Sequence, residues 1–356
     1  MLPRQQRLLD GLAERGCSSA ILVGSAHAIH LTGYCRYLGG PAAVVVDADA
    51  KRTLVVPRYE LGAAEETAEA EVAVGYGASD FLDFDPLPKL VAACLAHVGK
   101  GRVGLAGDAE ISSGSIPDRV RVDDLVAEVR ACKDADETAK IARSYELALT
   151  AQRAVCELLE EGASEIELSS AAYAAAQNAA GQPIELISFI ASGPNSALVS
   201  SPVCVPGGRR VGEGEPVLAD LAVRCAGYWG DTTRTSIRGA NPRVAEVRDA
   251  IAAIVPRLAR LLRPGVRAHE IFEAAAEEIL SRFPDGSFPH HAGHGIGIAV
   301  AEELQLVPTD DTPLESGMVL AIEPGVYFPG RFGVRVEDMY VVTEDGGRLV
   351  SSAIGD

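Results

Sequence analysis

Carboxylates set inside otherwise apolar, strand-like runs constrain this chain more than any other feature. Asp220 interrupts Val217-Leu218-Ala219 and Leu221-Ala222-Val223. Glu323 ends Met318-Val319-Leu320-Ala321-Ile322, and Glu337, followed by Asp338, sits between Val334-Arg335-Val336 and Met339-Tyr340-Val341-Val342. A lone carboxylate in such a run is costly unless it is paired or bound to a cation. The fold therefore has to bring these side chains together, or bring cations to them.

The chain has 356 residues, 47% of them hydrophobic and 23% charged, which excludes a disordered or collagen-like polymer. That length implies one large or two ordinary domains. No apolar run reaches the roughly 18 residues of a membrane helix, so no membrane partner is expected. The start, MLPRQQRLLDGLAERG, carries charges throughout and lacks the apolar stretch of a signal peptide. Seven cysteines, none in a C-x-x-C pair, suit reduced and mostly buried thiols. The expected location is cytoplasmic. A net charge of −18 argues against nucleic acid as a partner. The acid is uneven: residues 1–135 hold 14 Lys and Arg against 19 Asp and Glu, and residues 136–356 hold 18 against 31. Most of that excess reads as a solvated surface, and part of it as buried carboxylates neutralised by cations.

The first third alternates helix and strand signals. A helix is expected over 4–15, a strand over 20–23, a hairpin over 42–46 and 53–56, a helix over 87–97 and a strand over 102–105, which together make an α/β domain. The stretch Gly101 to Gly107 lacks the G-x-G-x-x-G spacing of a dinucleotide site, and there is no P-loop. The charged segment Arg130 to Glu137 opens a long helix to about residue 159, capped by Asp134 or Asp136. The boundary is placed there, giving domains 1–131 and 132–356. Helices follow at about 165–180, 243–262 and 268–282, with strands before and after the last two, so the second domain is expected to be α+β.

The chemistry concentrates in that second domain. Val217 to Thr235 reads as two strands about a turn near Cys225 to Gly227, with Asp220 on the first strand and Asp231 opposite it on the return. Asp231 taken alone could pair with Arg234 or cap a turn. His294 lies between Gly293 and Gly295 in PHHAGHGIG, where small neighbours let an imidazole approach a metal; a lone His is more often structural. Taken together, four carboxylates and one imidazole form an oxygen-rich set that suits two Mn, Fe, Co or Zn ions.

The segments DLAVRCAGYWGDTTRT, PHHAGHGIG, LAIEPGVY and FGVRVEDMYVVTEDG, in that order, resemble the pita-bread metallopeptidases, the family of methionine aminopeptidase, Xaa-Pro aminopeptidase, prolidase and creatinase. SAHAIHLTGY and LVVPRYE resemble the smaller N-terminal domain of the prolidase and creatinase branch, and VRACKDADETAKI the joint between the domains. The resemblance implies a creatinase/prolidase-like α/β N-terminal domain and an α+β pita-bread C-terminal domain. By position it implies metal ligands at Asp220, Asp231, His294, Glu323 and Glu337, with Asp231 and Glu337 bridging two ions. A hydroxide between the ions would be the nucleophile and Glu323 the base. Arg335, two residues before Glu337, would orient a ligand carboxylate. His290, Ser200 and Glu302 are candidate substrate contacts. A homodimer is implied, with the segment His30 to Tyr34 as the candidate contact.

Two positions depart from the family pattern. Ser200 stands where a His usually follows S-G-P-N-x-A, and Ala301 where a second His usually follows G-H-G-I-G. Those imidazoles hold the substrate carbonyl and share in proton transfer, a contribution worth about 10²–10⁴-fold in rate. Ala222 replaces a usual Gly. The expected function is a dinuclear-metal hydrolase resembling Xaa-Pro dipeptidase or aminopeptidase, acting on a peptide or small amide, with weak turnover of Xaa-Pro dipeptides. The alternative is a pita-bread enzyme turned to creatinase-like, lyase or oxidative chemistry on a specialised small molecule.

Overall fold

A computed structural model describes residues 2–36, 40–77, 86–107, 116, 118–198 and 205–351. The chain divides into two compact units, Met1–Arg130 and Ala131–Asp356.

The first unit is built on a mixed sheet of β1 (Cys17–Val23), β2 (Ala43–Asp47), β3 (Arg52–Pro57), β4 (Val72–Tyr76), β5 (Arg102–Gly107) and β6 (Arg119–Arg121), in the order β4-β3-β2-β1-β5-β6. β1, β2 and β3 pair antiparallel, whereas β1–β5, β3–β4 and β5–β6 pair parallel. The Val-rich runs follow from burial on both faces. Alternate residues of one strand enter different cores: Ala20 and Leu22 pack with Leu8, Leu12 and Leu125, while Ile21 and Val23 pack with Leu90 and Cys94. The helices supplying those layers are α1 (Pro3–Glu14), α2 (Ser25–Thr32), α3 (Leu61–Thr67), α4 (Pro86–Leu95) and α5 (Asp123–Ala131). In the expected contact segment, His30, Leu31, Thr32 and Tyr34 are buried. The Tyr34 hydroxyl donates to Glu60 at 2.7 Å. The segment therefore has little surface left to offer a second copy.

The second unit opens with α6 (Ala135–Leu159) and α7 (Glu165–Ala180). Asp134 caps α6: its carboxylate accepts from the Glu137 amide while the Glu137 side chain accepts from the Asp134 amide. Ser164 and Glu167 repeat that arrangement at α7. β7 (Glu185–Ser192), β8 (Pro216–Cys225) and β9 (Tyr228–Ile237) form one antiparallel sheet. Ala226 and Gly227 both have positive φ, 50° and 87°, as a two-residue hairpin turn requires. α6 lies directly on this sheet. A side chain at Gly230 would come within 2.0 Å of the Tyr145 amide nitrogen, and Gln152 donates to the carbonyls of Ala219 and Thr232.

After α8 (Pro242–Ala259) and α9 (Ala268–Arg282) come β10 (Gly293–Gly295), β11 (Val319–Ile322), β12 (Gly325–Phe328), β13 (Phe332–Arg335), β14 (Asp338–Val341) and β15 (Arg348–Leu349). The order β10-β11-β14-β15 makes a second sheet, and β12-β13 is a hairpin. Val247, Ile251 and Ile254 of α8 and Ile271 and Ile279 of α9 share a core with Leu320, Ile322 and Val334. Residues 233 and 337 join the halves: the Glu337 amide donates to the Thr233 carbonyl at 3.0 Å.

Candidate metal centre

Each of the two halves contributes to one cavity of about 340 Å³. In the first half, Asp220 pairs with Thr233 and Asp231 with Ala222 across β8 and β9. The two aspartates are thus diagonal neighbours on one sheet face rather than directly opposite, as the sequence suggested; that is a two-residue offset, which keeps both on the same side. In the second half, His294 on β10 pairs with Ala321 of β11, Glu323 follows β11, and Glu337 links β13 to β14. Gly293 is needed for the close backbone approach. A Cβ there would lie 2.1 Å from the Ala321 carbonyl oxygen. The small residue beside His294 thus serves the strand pairing.

All five expected ligands line the cavity. Donor atoms of Asp231, His294 and Glu337 lie within 4.8 Å of one another, as do those of His290, His291 and Glu323. His294 Nδ1 sits 3.0 Å from the Gly295 carbonyl and donates to it, so in the neutral ring a metal would bind, Nε2 keeps the lone pair, 3.5 Å from Glu323 Oε1. Asp231 Oδ1 and Glu337 Oε1 are buried and have no hydrogen-bond partner. The other Glu337 oxygen accepts from the Thr233 hydroxyl at 2.7 Å.

Arg335 ties the set together. Its Nη2 donates to Asp220 Oδ2 at 2.5 Å, its Nε lies 3.6 Å from Glu323 Oε2, and its Nη1 donates to the Tyr327 hydroxyl at 2.9 Å. Tyr327 reaches His290 Nε2 at 2.8 Å, and His290 Nδ1 lies 2.7 Å from the His291 carbonyl. Since Nδ1 faces an acceptor it is the donor, so Nε2 accepts from Tyr327. His290 therefore lines the cavity with both ring nitrogens already engaged by the protein. Burial drives its pKa down to about 4, in keeping with a neutral ring.

Burial also pushes Asp220 up, and raises Asp231 and Glu337 well above the carboxylate range, with their mutual repulsion and that of Glu323 adding to it. Glu323 goes the other way. Burial raises it, but His291, His294 and Arg335 outweigh that and hold it at about 2. Burial lowers His291, and the Glu323 carboxylate more than reverses it. Four carboxyl groups in one cavity with a single guanidinium are short of positive charge. Two orphaned, buried oxygens and an imidazole nitrogen with a free lone pair supply what divalent cations require. The residues fit a metal centre.

Other expected contacts sit differently. Glu302 does not line the cavity; its carboxylate is paired with buried Lys133 at 2.7 Å. Ala301 does line it, as a bare methyl group. Ser200 lies outside the described residues. Thr233, Tyr327 and His291 belong to the site and were not singled out in the sequence. Their signals were faint: a Thr in the D-T-T-R-T strand, a Tyr two residues beyond Gly325, and a second His beside His290.

The comparisons with known proteins point the same way. Residues 139–344 match metallopeptidase family M24, and residues 4–132 match the creatinase/prolidase N-terminal domain. The chain belongs to metallopeptidase family M24. It is 28% identical to a Xaa-Pro dipeptidase of Pyrococcus furiosus, over 99% of this chain and 98% of that one. It is 31% identical to a probable dipeptidase PepE of Mycobacterium tuberculosis, over 92% and 90%. Among solved structures, the prolidase from Pyrococcus furiosus superposes with a TM-score of 0.79 at 26% identity, covering 96% of this chain and 98% of that one. The expected N-terminal α/β and C-terminal pita-bread folds are those of the family. As a member of M24, the chain is a metallohydrolase whose family uses divalent metal ions.

Proposed function

We propose that this M24 enzyme cleaves a peptide or small amide C–N bond at two divalent ions, Mn, Fe, Co or Zn, held by Asp220, Asp231, His294, Glu323 and Glu337. The observation that carries this reading is the pair of buried, partnerless oxygens, Asp231 Oδ1 and Glu337 Oε1, beside His294. Bound ions supply Lewis acidity, polarising the substrate carbonyl and making water acidic at neutral pH. The Glu323 carboxylate would take up the proton of the attacking water, and Arg335 keeps Asp220 and Glu323 in place. Ile187, Phe189, Leu218, Val300 and Ala301 present an apolar wall to the substrate, which suits an apolar side chain or a proline ring. The similarity to a Xaa-Pro dipeptidase supports substrates of that class.

Proton delivery to the leaving amine is where this chain differs. Ala301 offers no proton, and Ser200 cannot carry a charge in this pH range. Turnover of Xaa-Pro dipeptides is therefore set below a typical enzyme by about 10²–10⁴-fold. A cytoplasmic homodimer is proposed from the family resemblance. The cytoplasmic part rests on the cysteine pattern of the sequence, seven with no C-x-x-C pair.

The test is an assay of metal-loaded protein against Xaa-Pro dipeptides, longer peptides that begin Xaa-Pro, and non-peptide amides. Slow cleavage that chelation abolishes, raised by Ser200→His with Ala301→His, is the expected result. Failure to cut any amide would overturn the hydrolase reading in favour of another reaction on this fold. Dipeptide turnover at tens per second, near or above the enzyme median of about 10 per second, would overturn the weak-turnover reading.

A further inference from the structure

His291 stands apart from the other histidines in the second unit. His290 has both ring nitrogens engaged, and His294 anchors one nitrogen on a backbone carbonyl. His291 Nδ1 is buried, has no hydrogen-bond partner, and yet lies 3.1 Å from Glu323 Oε1. At that separation a ring N–H aimed at the oxygen would form a charge-assisted bond. The direction is wrong for one. The nitrogen is near the oxygen but does not point at it.

Within this cavity Asp231 Oδ1 and Glu337 Oε1 share that condition. Both belong to the proposed ligand set. Donors bound to one ion at 2.0–2.2 Å, with angles of about 90–110° between them, stand roughly 2.9–3.5 Å apart. Glu323 Oε1 has two nitrogen neighbours at 3.1 and 3.5 Å, His291 Nδ1 and His294 Nε2. The 3.1 Å separation matches two donors on one ion, and the donor atoms of His291, His290 and Glu323 lie within 4.8 Å of one another, a group beside that of Asp231, His294 and Glu337. The backbone supports the placement: the Glu323 amide donates to the Ala292 carbonyl at 2.9 Å, which fixes residues 291–294 against the end of β11. The two imidazole rings pack edge to face, their centroids 5.5 Å apart.

We propose that His291 is a metal ligand through Nδ1, giving this centre a second imidazole beside His294. It rests on the reading of Asp231, His294, Glu323 and Glu337 as ligands. A centre with two imidazoles discriminates more strongly between ions than one with a single imidazole. Imidazole suits zinc and iron, whereas carboxylate and water suffice for manganese. Any such site binds zinc more tightly than manganese, and His291 widens that gap. With Nδ1 on the ion, the ring proton moves to Nε2, on a side chain that keeps 34% of its surface exposed.

Two measurements test this without recourse to activity. In the first, the unaltered protein is labelled with nitrogen-15 histidine and loaded with spin-active cadmium. Two histidine nitrogens should show coupling to the metal, one an Nε2 and one an Nδ1. A single coupled Nε2 would overturn the proposal. In the second, zinc and manganese affinities are measured by competition with a chelating dye. His291→Ala should weaken zinc at least about tenfold while changing manganese less than threefold. His291→Asn sets an amide N–H near the Nδ1 position, able to hold Glu323 but poor as a zinc ligand, so it should match His291→Ala. If His291→Asn restores zinc affinity, His291 holds Glu323 by a hydrogen bond and the proposal fails. If no ion binds the unaltered protein, the metal centre itself is misread; if ions bind through one imidazole, only His291 is.

Discussion

Glu60 in the first unit is 1% exposed, and both of its oxygens are taken. The Tyr34 hydroxyl donates to one and the Gly40 amide to the other, each at 2.7 Å. Asp231 and Glu337 in the second unit are as deep, at 5% and 1% exposed, but each keeps one oxygen with nothing to accept. Glu165, in that same unit, is 3% exposed and accepts from the amides of Ser192 and Gly207. Depth therefore does not separate a structural carboxylate from a chemical one. What separates them is whether the fold has completed the hydrogen bonding, because a group left incomplete at this depth is costly unless something else binds it.

That contrast breaks most visibly if the incomplete carboxylates are altered. Glu337→Gln or Asp231→Asn should cost at least one bound ion and more than about 10²-fold in activity, since a metal centre contributes several kcal/mol of transition-state stabilisation. Metal analysis and steady-state kinetics check both. A variant that keeps two ions would show that its carboxylate was misassigned. Next in size is the effect of the ions on the folded state. At a free metal concentration of 100 Kd, loading should stabilise the protein by about 2.7 kcal/mol per site, lost on chelation. Denaturation with and without chelator measures it.

The two kinds of burial should then part in sign once the metal is removed. Glu60→Gln replaces an acceptor of two hydrogen bonds with a group that can satisfy only part of them, and should destabilise the protein by about 1–3 kcal/mol. Glu337→Gln in chelated protein keeps the hydrogen bond with Thr233 and removes repulsion from Asp231, Glu323 and Asp220. It should leave stability unchanged or raise it. Urea denaturation of the two variants side by side decides this. A comparable loss in both would mean that the cavity is no more strained than the Glu60 site.

The sequence exposed the polarity conflict but not its resolution. Asp220, Glu323 and Glu337 stood out because each breaks an apolar run, and His294 because glycines flank it. The helices with strong caps or periodicity, such as Ala135–Leu159 behind Asp134, were readable for local reasons. α2 (Ser25–Thr32) was not: the whole helix is apolar enough to be buried on most sides, so it carries little periodicity to read. α5 (Asp123–Ala131) was not expected as a helix of its own: only Cys132 to Asp134 separate it from α6. The diagonal placement of Asp220 and Asp231 depends on turn length. Counting to Ala226-Gly227 rather than to Cys225 fixes it. The roles of Tyr327, Thr233 and His291 depend on contacts between residues 8 to 102 positions apart, or on the direction of a ring nitrogen. No local pattern encodes either.

The smallest expected effect concerns a carboxylate of a third kind, one that is paired but near the surface. Glu71 in the first unit accepts from Arg52 Nη2 at 2.7 Å and from the Arg52 amide, with 43% of its side chain exposed. Partial burial pushes its pKa up, but the bonds from Arg52 more than reverse this and leave it lowered. A carboxylate with a depressed folded-state pKa contributes stability that is fully present above its unfolded value, about 4.3, and that is lost as the pH falls through the folded value. Solvent screens so exposed a pair, so Glu71→Gln should cost only about 0.2–1 kcal/mol at pH 7. The difference from the unaltered protein should close as the pH drops below about 4.3, and should shrink at pH 7 when salt is added. Stability curves at pH 7 and pH 3, each at low and high salt, test this. If Glu71→Gln costs the same at both pH values, the contribution of Glu71 is hydrogen-bond geometry rather than charge. The first unit would then handle its exposed and buried carboxylates by the same means, and only the second unit would depend on charge that the chain itself does not supply.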